Sequence, residues 1–249
     1  AACGSDEKVA DKANIAGVVA GAQSEVVIGM LDMNQMLILD TLQTGPDGSF
    51  NYELEVKKGN PEFVYVYSDG RKVTSLLLDA GDKVSFTVDA DGNSVIEGSE
   101  ESALVAEFSH DYFASVDELA NIAENQLPTI GNNRQLELRA YELAREAMLK
   151  QMRFVGSHQD CVASIYALHH KVAEQYIPQL EGQGINIVHY NSVLEGIKAK
   201  YPTSPYIDML NRDIEYATML LTAPESLYPN ISLTDINRNA HNLSDYKGK

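Results

Sequence analysis

The sequence predicts an α+β fold, with an antiparallel β-sandwich or open-barrel domain first and an all-α helical domain after it. From about residue 14 to 98, apolar and polar side chains alternate, which is typical of half-buried strands. From Ser99 onward, apolar residues recur every three or four positions, as on one face of a helix. We therefore divide the chain into a tether at 1–12, a β domain at 13–98, a helical domain at 99–222 and a tail at 223–249.

The amino-acid composition excludes some classes of binding partner. The 249 residues include 19 Lys and Arg against 36 Asp and Glu, so the formal net charge is −17. An acidic surface of this kind repels nucleic acid and anionic membranes, and we expect neither to bind it directly. Hydrophobic residues make up 44% of the chain, enough to exclude wholesale disorder. The two cysteines, Cys3 and Cys161, are too few for a disulfide framework or a structural zinc site.

Eight strands are expected in the β domain, separated by turn residues such as Pro46-Asp47-Gly48 and Ala80-Gly81-Asp82. Pro61 should begin a strand, because proline cannot donate to a central ladder. Short strands spaced in this way favour an antiparallel sandwich or an open barrel. The predicted strands are Ile15–Ala20, Glu25–Leu31, Met36–Leu42, Ser49–Val56, Glu62–Tyr67, Val73–Leu78, Lys83–Val88 and Ser94–Glu97.

Five helices are expected after the strands. Ser99 is a capping residue followed by two carboxylates, which suit the positive end of a helix. We expect Pro128 and Gly131 to end this first helix, Asp160 to cap the third, Asn191–Lys200 to form a shorter one, and Ser204-Pro205 to begin the last. The apolar stripes are Leu104, Phe108, Tyr112, Val116, Leu119 and Ala123; Leu136, Ala140, Ala144, Met148, Met152 and Val155; Val162, Ile165, Tyr166, Val172 and Tyr176; and Ile207, Leu210, Ile214, Ala217 and Leu221.

The first residues carry a motif of their own. Ala1-Ala2-Cys3-Gly4 resembles the processing site of bacterial lipoproteins, in which the cysteine is acylated. That resemblance implies lipid attachment at Cys3, the membrane as a partner through the anchor, and a place in the cell envelope, on the periplasmic side or on the outer surface of the outer membrane. Several acyl chains give stable anchoring where one does not. The alternative is an incidental cysteine.

Beyond the N-terminus, a series of short motifs resembles one family along most of the chain. Their order resembles the N-terminal part, a β domain of unknown function plus a helical region, of a bacterial thiol:disulfide interchange lipoprotein with a C-terminal thioredoxin-like domain. The motifs are Asp47-Gly48-Ser49-Phe50, Pro61-Glu62-Phe63, Leu78-Asp79-Ala80-Gly81-Asp82-Lys83-Val84, Thr203-Ser204-Pro205-Tyr206, Ile231–Asn237 and Leu243–Lys249. The sequence departs from the family at Gln159-Asp160-Cys161, where an Asn-Pro turn is usual.

The resemblance implies a non-catalytic scaffold or recognition region of a membrane-anchored thiol-disulfide oxidoreductase. Residues 223–249 would then be the start of its redox domain, and the expected partners are protein clients, with a homodimer left open. The Cys-x-x-Cys pair that thiol exchange requires is missing from the sequence, so we predict no catalytic residues. The alternative is an envelope lipoprotein that binds a glycan or a peptide.

A cysteine and a pair of histidines are the candidates for thiol chemistry or metal binding. Cys161 is expected to pack in the core, although a helix start could lower the pKa of its thiol. In the pair His169-His170, we expect His169 to be half-buried on the apolar stripe and His170 to be exposed beside Glu174. Neither pattern has the spacing of a metal site, and we predict no metal and no cofactor.

One acidic segment looks like a cation-binding loop. Asp89-Ala90-Asp91-Gly92-Asn93 superficially resembles a calcium loop, but its glycine is in the fourth position and strands are expected on both sides. A hairpin turn is therefore the prediction. The sequence also contains no Gly-x-Ser-x-Gly elbow, P-loop or dinucleotide fingerprint.

Overall fold

The computed structural model describes residues 12–21, 25–32, 35–89, 94–131, 133–170, 172–177, 184–222, 232–235 and 240–242. Eight strands come first and helices follow, so the predicted α+β class is confirmed, with open sheets. All eight predicted strands are present, with their ends shifted by up to three residues. They are β1 (Lys12–Val19), β2 (Glu25–Asp32), β3 (Gln35–Gln43), β4 (Ser49–Glu55), β5 (Glu62–Ser68), β6 (Arg71–Leu78), β7 (Lys83–Val88) and β8 (Ser94–Glu97).

The strands form two four-stranded sheets. The first has the order β4-β1-β7-β8 and the second β3-β2-β5-β6. Every pair in the second sheet is antiparallel. In the first sheet β1 pairs with β7 in parallel, which corrects the expectation of a purely antiparallel domain. The pairing brings together segments far apart in the sequence, and strand alternation does not report the direction of a partner.

The inner faces of the two sheets pack against each other as a sandwich. Along β1, every second residue is buried, as the alternation predicted. Gly17 lies between the rings of Phe50 and Phe86, which meet edge to face at 5.8 Å. A Cβ at position 17 would lie 2.4 Å from the Phe50 ring, so this position needs glycine for space. The core combines Ile15, Phe50, Val84 and Phe86 of the first sheet with Val26, Ile28, Val64, Val66, Leu76 and Leu78 of the second.

The helices follow Ser99, whose hydroxyl accepts a hydrogen bond from the Ser102 amide as predicted for an N-cap. The Ser204 hydroxyl likewise accepts from the Tyr206 amide at the start of the last helix, 3.3 Å away. The helices are α1 (Glu100–Asn121), α2 (Leu127–Ile130), α3 (Arg134–Ser157), α4 (Ala163–Leu168), α5 (Val172–Tyr176), α6 (Ile187–Lys200) and α7 (Tyr206–Thr222), with a π-helical turn at Ile122–Gln126 between α1 and α2.

Three helix predictions were wrong in detail. Pro128 does not end the first helix, because the π-helical turn before it places the proline at the start of α2, where it gives up no required hydrogen bond. The third helix is two short helices, α4 and α5, separated at His169 and His170. Leu221, predicted to lie on the buried stripe of α7, is 74% exposed.

The helices form a third layer on the outer face of the second sheet. Successive residues of β6 point to opposite faces, so Leu76 and Leu78 enter the sandwich while Leu77 enters the helical core. Phe63 lies opposite Leu77 and contacts the rings of Tyr166 and Tyr206, with 6.0 Å between centroids in each case. The β and helical parts are thus joined through the two faces of one sheet.

The described part of the tail is a short antiparallel pair, β9 (Ser232–Thr234) and β10 (Ala240–Asn242). Leu233 in β9 is 69% exposed. The remaining tail residues on which the family resemblance drew, including Leu243–Lys249, lie outside the described residues.

Candidate functional site

A cleft of about 530 Å³ lies where the sheets meet α1, and we call it the β6–α1 cleft. Its volume falls within the roughly 300–1,000 Å³ that is typical of ligand pockets. One wall is β6, the edge strand of the second sheet, and the opposite wall is one face of α1. The lining residues are Lys72, Val73, Thr74, Ser75, Ser94, Val105, Ala106, Ser109, His110, Phe113 and Tyr166.

Hydroxyl groups line the floor of the cleft. The Ser109 hydroxyl donates to the Val105 carbonyl at 2.7 Å and lies 3.3 Å from the Tyr166 hydroxyl. Burial raises the pKa of Tyr166, although its hydrogen bonds to Ser109 and Ser75 lower it in part. Tyr166 therefore stays a neutral phenol that can donate or accept a hydrogen bond.

Lys72 stands at one end of the cleft. Its ammonium lies 5.5 Å from the centre of the Tyr65 ring, within the range of a cation–π contact. Loss of hydration there lowers the pKa of Lys72, and burial raises the pKa of Tyr65 to about 12. Lys72 is the one lysine or arginine among the described residues that line the cleft, and it can pair with an anionic group at that end.

Behind Tyr166 lies a cluster of rings that holds the floor in place. His170 packs against Tyr166 at a tilt of 50°, with 4.2 Å between centroids, and meets the rings of Phe108, Tyr112 and Phe113 edge to face. Its Nδ1 is 2.7 Å from the Tyr166 carbonyl. Burial lowers the pKa of His170, so the neutral ring with a proton on Nδ1 fits this site best.

Cys161 lies outside the cleft, in the helical core. It is 6% exposed, with the Lys200 ammonium 3.9 Å from its sulfur. Burial, with a further contribution from the charge of Glu101, raises the pKa of this thiol to about 11. A thiol with that pKa is almost wholly protonated at neutral pH and is a poor nucleophile. The prediction that Cys161 packs in the core is confirmed.

Glu101 is the buried carboxylate beside Cys161, and it caps α4. It accepts hydrogen bonds from the amides of Val162 and Ala163 at 3.2 and 2.9 Å, and one from the Tyr201 hydroxyl at 2.9 Å. Asp160 was predicted to cap this helix, and that prediction was wrong. The cap comes from a residue that is distant in sequence, so the local pattern could not reveal it.

The two neighbouring histidines have the reverse of their predicted environments. His169 is exposed, with Nε2 3.2 Å from Asp213, whereas His170 is packed among aromatic rings. The reason is that α4 ends at Leu168, so the helical periodicity used to place both residues does not continue through them. The side chain of Glu174, the predicted partner of His170, lies outside the described residues.

Of the other predicted site residues, Cys3 lies outside the described residues. The acidic segment from Asp89 to Asn93 joins β7 to β8, which pair antiparallel from Val88 and Ser94 outward, and this confirms the hairpin. Residues 90–93 themselves lie outside the described residues.

Sequence reasoning did not identify the cleft. Val105, Ala106, Ser109 and Phe113 form a second stripe of helical spacing, beside the main apolar stripe of α1. Phe113, which follows the buried Tyr112 directly, lies off the main stripe, and an aromatic residue there was the available signal. Nothing local could show that β6 would face it.

The described residues contain neither a metal-binding cluster nor a helix that could span a membrane. No group of three or more His, Cys, Asp or Glu side chains in that part of the chain is arranged to hold a metal ion. Within the same residues, no helix combines the length and hydrophobicity that crossing a bilayer requires.

Comparison with known proteins yields no assignment: no protein-family model and no curated protein sequence matches the chain.

Proposed function

We propose that this chain is a client-binding region without catalytic activity of its own, and that it binds polypeptide in the β6–α1 cleft. In this proposal it serves a thiol-disulfide oxidoreductase of the cell envelope, as the family resemblance implies. The observation that carries the binding function is the cleft, which lies between the edge strand β6 and one face of α1. The redox context rests on the sequence motifs.

The state of Cys161 supports a role without catalysis. Thiol exchange needs an accessible thiolate of low pKa and a second thiol nearby. Cys161 is buried with a raised pKa, and the only other cysteine of the sequence is Cys3. In an insulin-reduction assay with dithiothreitol, we expect the chain to add nothing to the rate of the reductant alone. Repeated turnover by the purified chain would contradict the proposal.

The lining of the cleft favours a peptide over a glycan. Sugar rings stack on flat, accessible aromatic faces, but Tyr166 is buried and Phe113 is half-buried. Ala106 and Ser109, which are half-buried, offer instead small side chains of mixed polarity. Such a surface suits side chains of modest size on an extended chain.

A matched pair of substitutions on α1 tests the binding site. The probe is ribonuclease A that is kept unfolded by reduction and alkylation, labelled with a fluorophore and followed by anisotropy at 0.15 M salt. Ala106→Arg fills the cleft, whereas Ala114→Arg makes the same change of charge on an exposed part of the helix that does not line it. We expect the first to weaken binding about tenfold or more and the second to leave it near the wild-type value.

Either of two results would refute the binding function. One is a wild-type chain that does not bind the unfolded probe, and the other is an equal effect of both substitutions. The arginine pair has identical net charge, so nonspecific attraction between the basic probe and the acidic chain cannot mimic the expected difference.

The membrane anchor belongs to the same proposal and is tested separately. Radiolabelled palmitate supplied to cells that express the protein with its full leader should label it, and Cys3→Ser should abolish the label. Labelling that survives this substitution would contradict the role of Cys3.

A further inference from the structure

The outer edge of β6 is closed at one end. The amide of Leu77 donates to the Ser102 hydroxyl at 2.8 Å, and its carbonyl accepts from the hydroxyls of Ser99 and Ser102 at 2.9 and 2.8 Å. The first turn of α1 therefore satisfies the main chain of Leu77, which points away from β5. An edge strand that is covered in this way is protected from further pairing at that position.

The main chain of Ser75 has the same orientation as that of Leu77, but no hydroxyl of α1 in the described part of the chain bonds to it. In an antiparallel pair, the main-chain groups of alternate residues point to the same side, and the pairing with β5 is regular from Ser75 to Leu77. The amide and carbonyl of Ser75 therefore also point away from β5, and Ser75 lines the cleft. Within the described residues, no turn, cap or side chain bonds to these two groups.

The volume of the cleft suits a short chain segment beside β6. The cleft measures about 530 Å³, and Val105, Ala106 and Ser109 on its α1 wall are small side chains. Four strand residues span about 13 Å at roughly 3.3 Å each. A segment of about that length would lie with one face on the helix and its own main chain against Ser75.

We propose that the β6–α1 cleft binds its polypeptide by β-strand addition, in which the client's main chain pairs with the unbonded amide and carbonyl of Ser75. This inference rests on the proposed function and specifies its mode and its ligand class. The ligand is an extended segment without proline at the paired position, with small or β-branched side chains toward Val105 and Ala106. Main-chain hydrogen bonds supply the affinity and the helix wall supplies the selection.

A peptide probe tests the mode directly. The probe is acetyl-Lys-Thr-Val-Thr-Val-Lys-amide, which has a high strand propensity and carries a positive charge toward the acidic chain. Its partner probe has the same side chains but N-methyl groups on the two central amides. We expect the parent peptide to bind the full chain about tenfold or more tightly than the methylated one. Equal affinity of the two peptides would overturn strand addition.

Substitutions at Ser75 provide the protein side of the test. Ser75→Pro removes the outward amide without breaking the ladder to β5, and proline is accepted on edge strands for that reason. Ser75→Ala keeps the amide and removes only the hydroxyl. We expect Ser75→Pro to weaken binding of the parent peptide about tenfold, and Ser75→Ala, which keeps the amide, to weaken it clearly less.

Amide exchange in the wild-type chain decides the matter even if Ser75→Pro does not fold. At saturating parent peptide, the Ser75 amide, followed by NMR, should exchange with solvent more slowly, because strand pairing takes it out of water. Binding that leaves its exchange unchanged would overturn the proposal. Protection of Ser75 that appears without peptide and grows with protein concentration would also overturn it, and would show that a second copy occupies the edge.

The two proposals fail in different ways. If unfolded ribonuclease A does not bind at all, the proposed function fails. If it binds, but N-methylation, Ser75→Pro and amide exchange show no effect, only strand addition fails. Displacement of the parent peptide by a chitin tetrasaccharide would overturn both and point to a glycan in the cleft.

Discussion

Glu101 joins the ends of three helices through one carboxylate. It belongs to the first turn of α1, accepts from the amides that begin α4, and accepts from Tyr201, which ends α6. Buried amides cost free energy unless they are bonded, and the carboxylate satisfies two of them. The same residue was expected to serve only the dipole of its own helix.

Replacement of Glu101 by alanine should destabilise the chain by about 3 kcal/mol, because buried amides and a hydroxyl lose a charged acceptor. Glu101→Gln, which keeps one acceptor oxygen, should cost less. Urea unfolding measures both values. Glu100→Ala on the neighbouring exposed residue is the control and should cost less than about 1 kcal/mol. Equal losses at positions 100 and 101 would contradict the capping role.

His170 makes stability depend on pH. Its folded-state pKa is lowered, first by burial and further by the charges of Lys72 and His169, while the carbonyl of Tyr166 acts in the opposite direction. The unfolded chain therefore binds more protons than the folded one below the unfolded pKa, about 6.5. The contribution of the neutral ring to the free energy of unfolding is complete above that pH. It is lost as the pH falls toward the pKa of His170 in the folded chain.

His170→Asn should remove this pH-dependent part of the stability, because an amide can donate to the Tyr166 carbonyl in place of Nδ1 but does not titrate. Urea midpoints measured from pH 8 to pH 5 should fall less for the variant than for wild type. Parallel curves for wild type and His170→Asn would show that the ring does not titrate in this range.

At the scale of the element, two helical glycines differ in their surroundings, and only one of them lies in a close contact with another segment. Gly196 in α6 lies directly against the chain at Gln159, and a Cβ there would be 2.3 Å from the Gln159 carbonyl oxygen. Gly156 in α3 has open space around its Cα, with no atom within 4 Å of such a Cβ. Helix propensity treats the two positions alike, and only the contact with another segment separates them.

We expect Gly196→Ala to destabilise the chain by about 1–3 kcal/mol, because a backbone segment must move. Gly156→Ala should instead stabilise it by about 0.5–1 kcal/mol through helix propensity. Thermal and urea unfolding of the two variants provides the comparison. Effects of the same sign at both positions would show that the close approach to Gln159 is not limiting.

At the scale of the molecule, the second sheet is shared by two cores. Leu77 is wholly buried on the helical side, while its neighbours Leu76 and Leu78 are wholly buried in the sandwich. The serines that bond to Leu77 also begin α1, so the same residues attach the helical layer and start it. The strands and the helices should therefore unfold together.

Leu77→Ala should cost about 2–5 kcal/mol, as for a buried leucine, and should lower the unfolding midpoint of both parts equally. Circular dichroism follows the helices, and exchange of β-sheet amides in NMR follows the strands. Leu37→Ala, at a half-exposed leucine of β3, is the control and should stay within about 0.5 kcal/mol of wild type. Separate transitions for strands and helices would contradict the shared-core arrangement.

Much of the fold could be predicted from the local sequence. When one face of a strand or a helix is buried, apolar residues recur with the period of that element. The alternation along β1 and the stripe of Phe108, Tyr112, Val116 and Leu119 correspond to buried residues. The same reasoning failed at Pro128 and at the two histidines. In both places the helix changes its geometry or ends, so a constant period assigned residues to the wrong face.

The candidate site could not be predicted in this way, because its two walls are 30 or more positions apart in sequence. Ser75 and Ala106 are unremarkable in their own segments, and neither carries a motif. The packing of the Cys161 thiol, in contrast to the cleft, could be predicted from the sequence. A single cysteine among apolar and small residues already indicated packing, and burial with a raised pKa agrees with it.

By itself, the sequence determined the order of strands and helices, the positions of the turns, the N-caps at Ser99 and Ser204 and the absence of a Cys-x-x-Cys pair. These properties depend on neighbouring residues, through side-chain period, backbone preference and composition. Only the tertiary structure decided that β1 runs parallel to β7, that Glu101 caps α4, and that the edge of β6 faces α1 across a cleft. Each of those depends on contacts between distant segments, which form because two apolar faces of one sheet must both be buried.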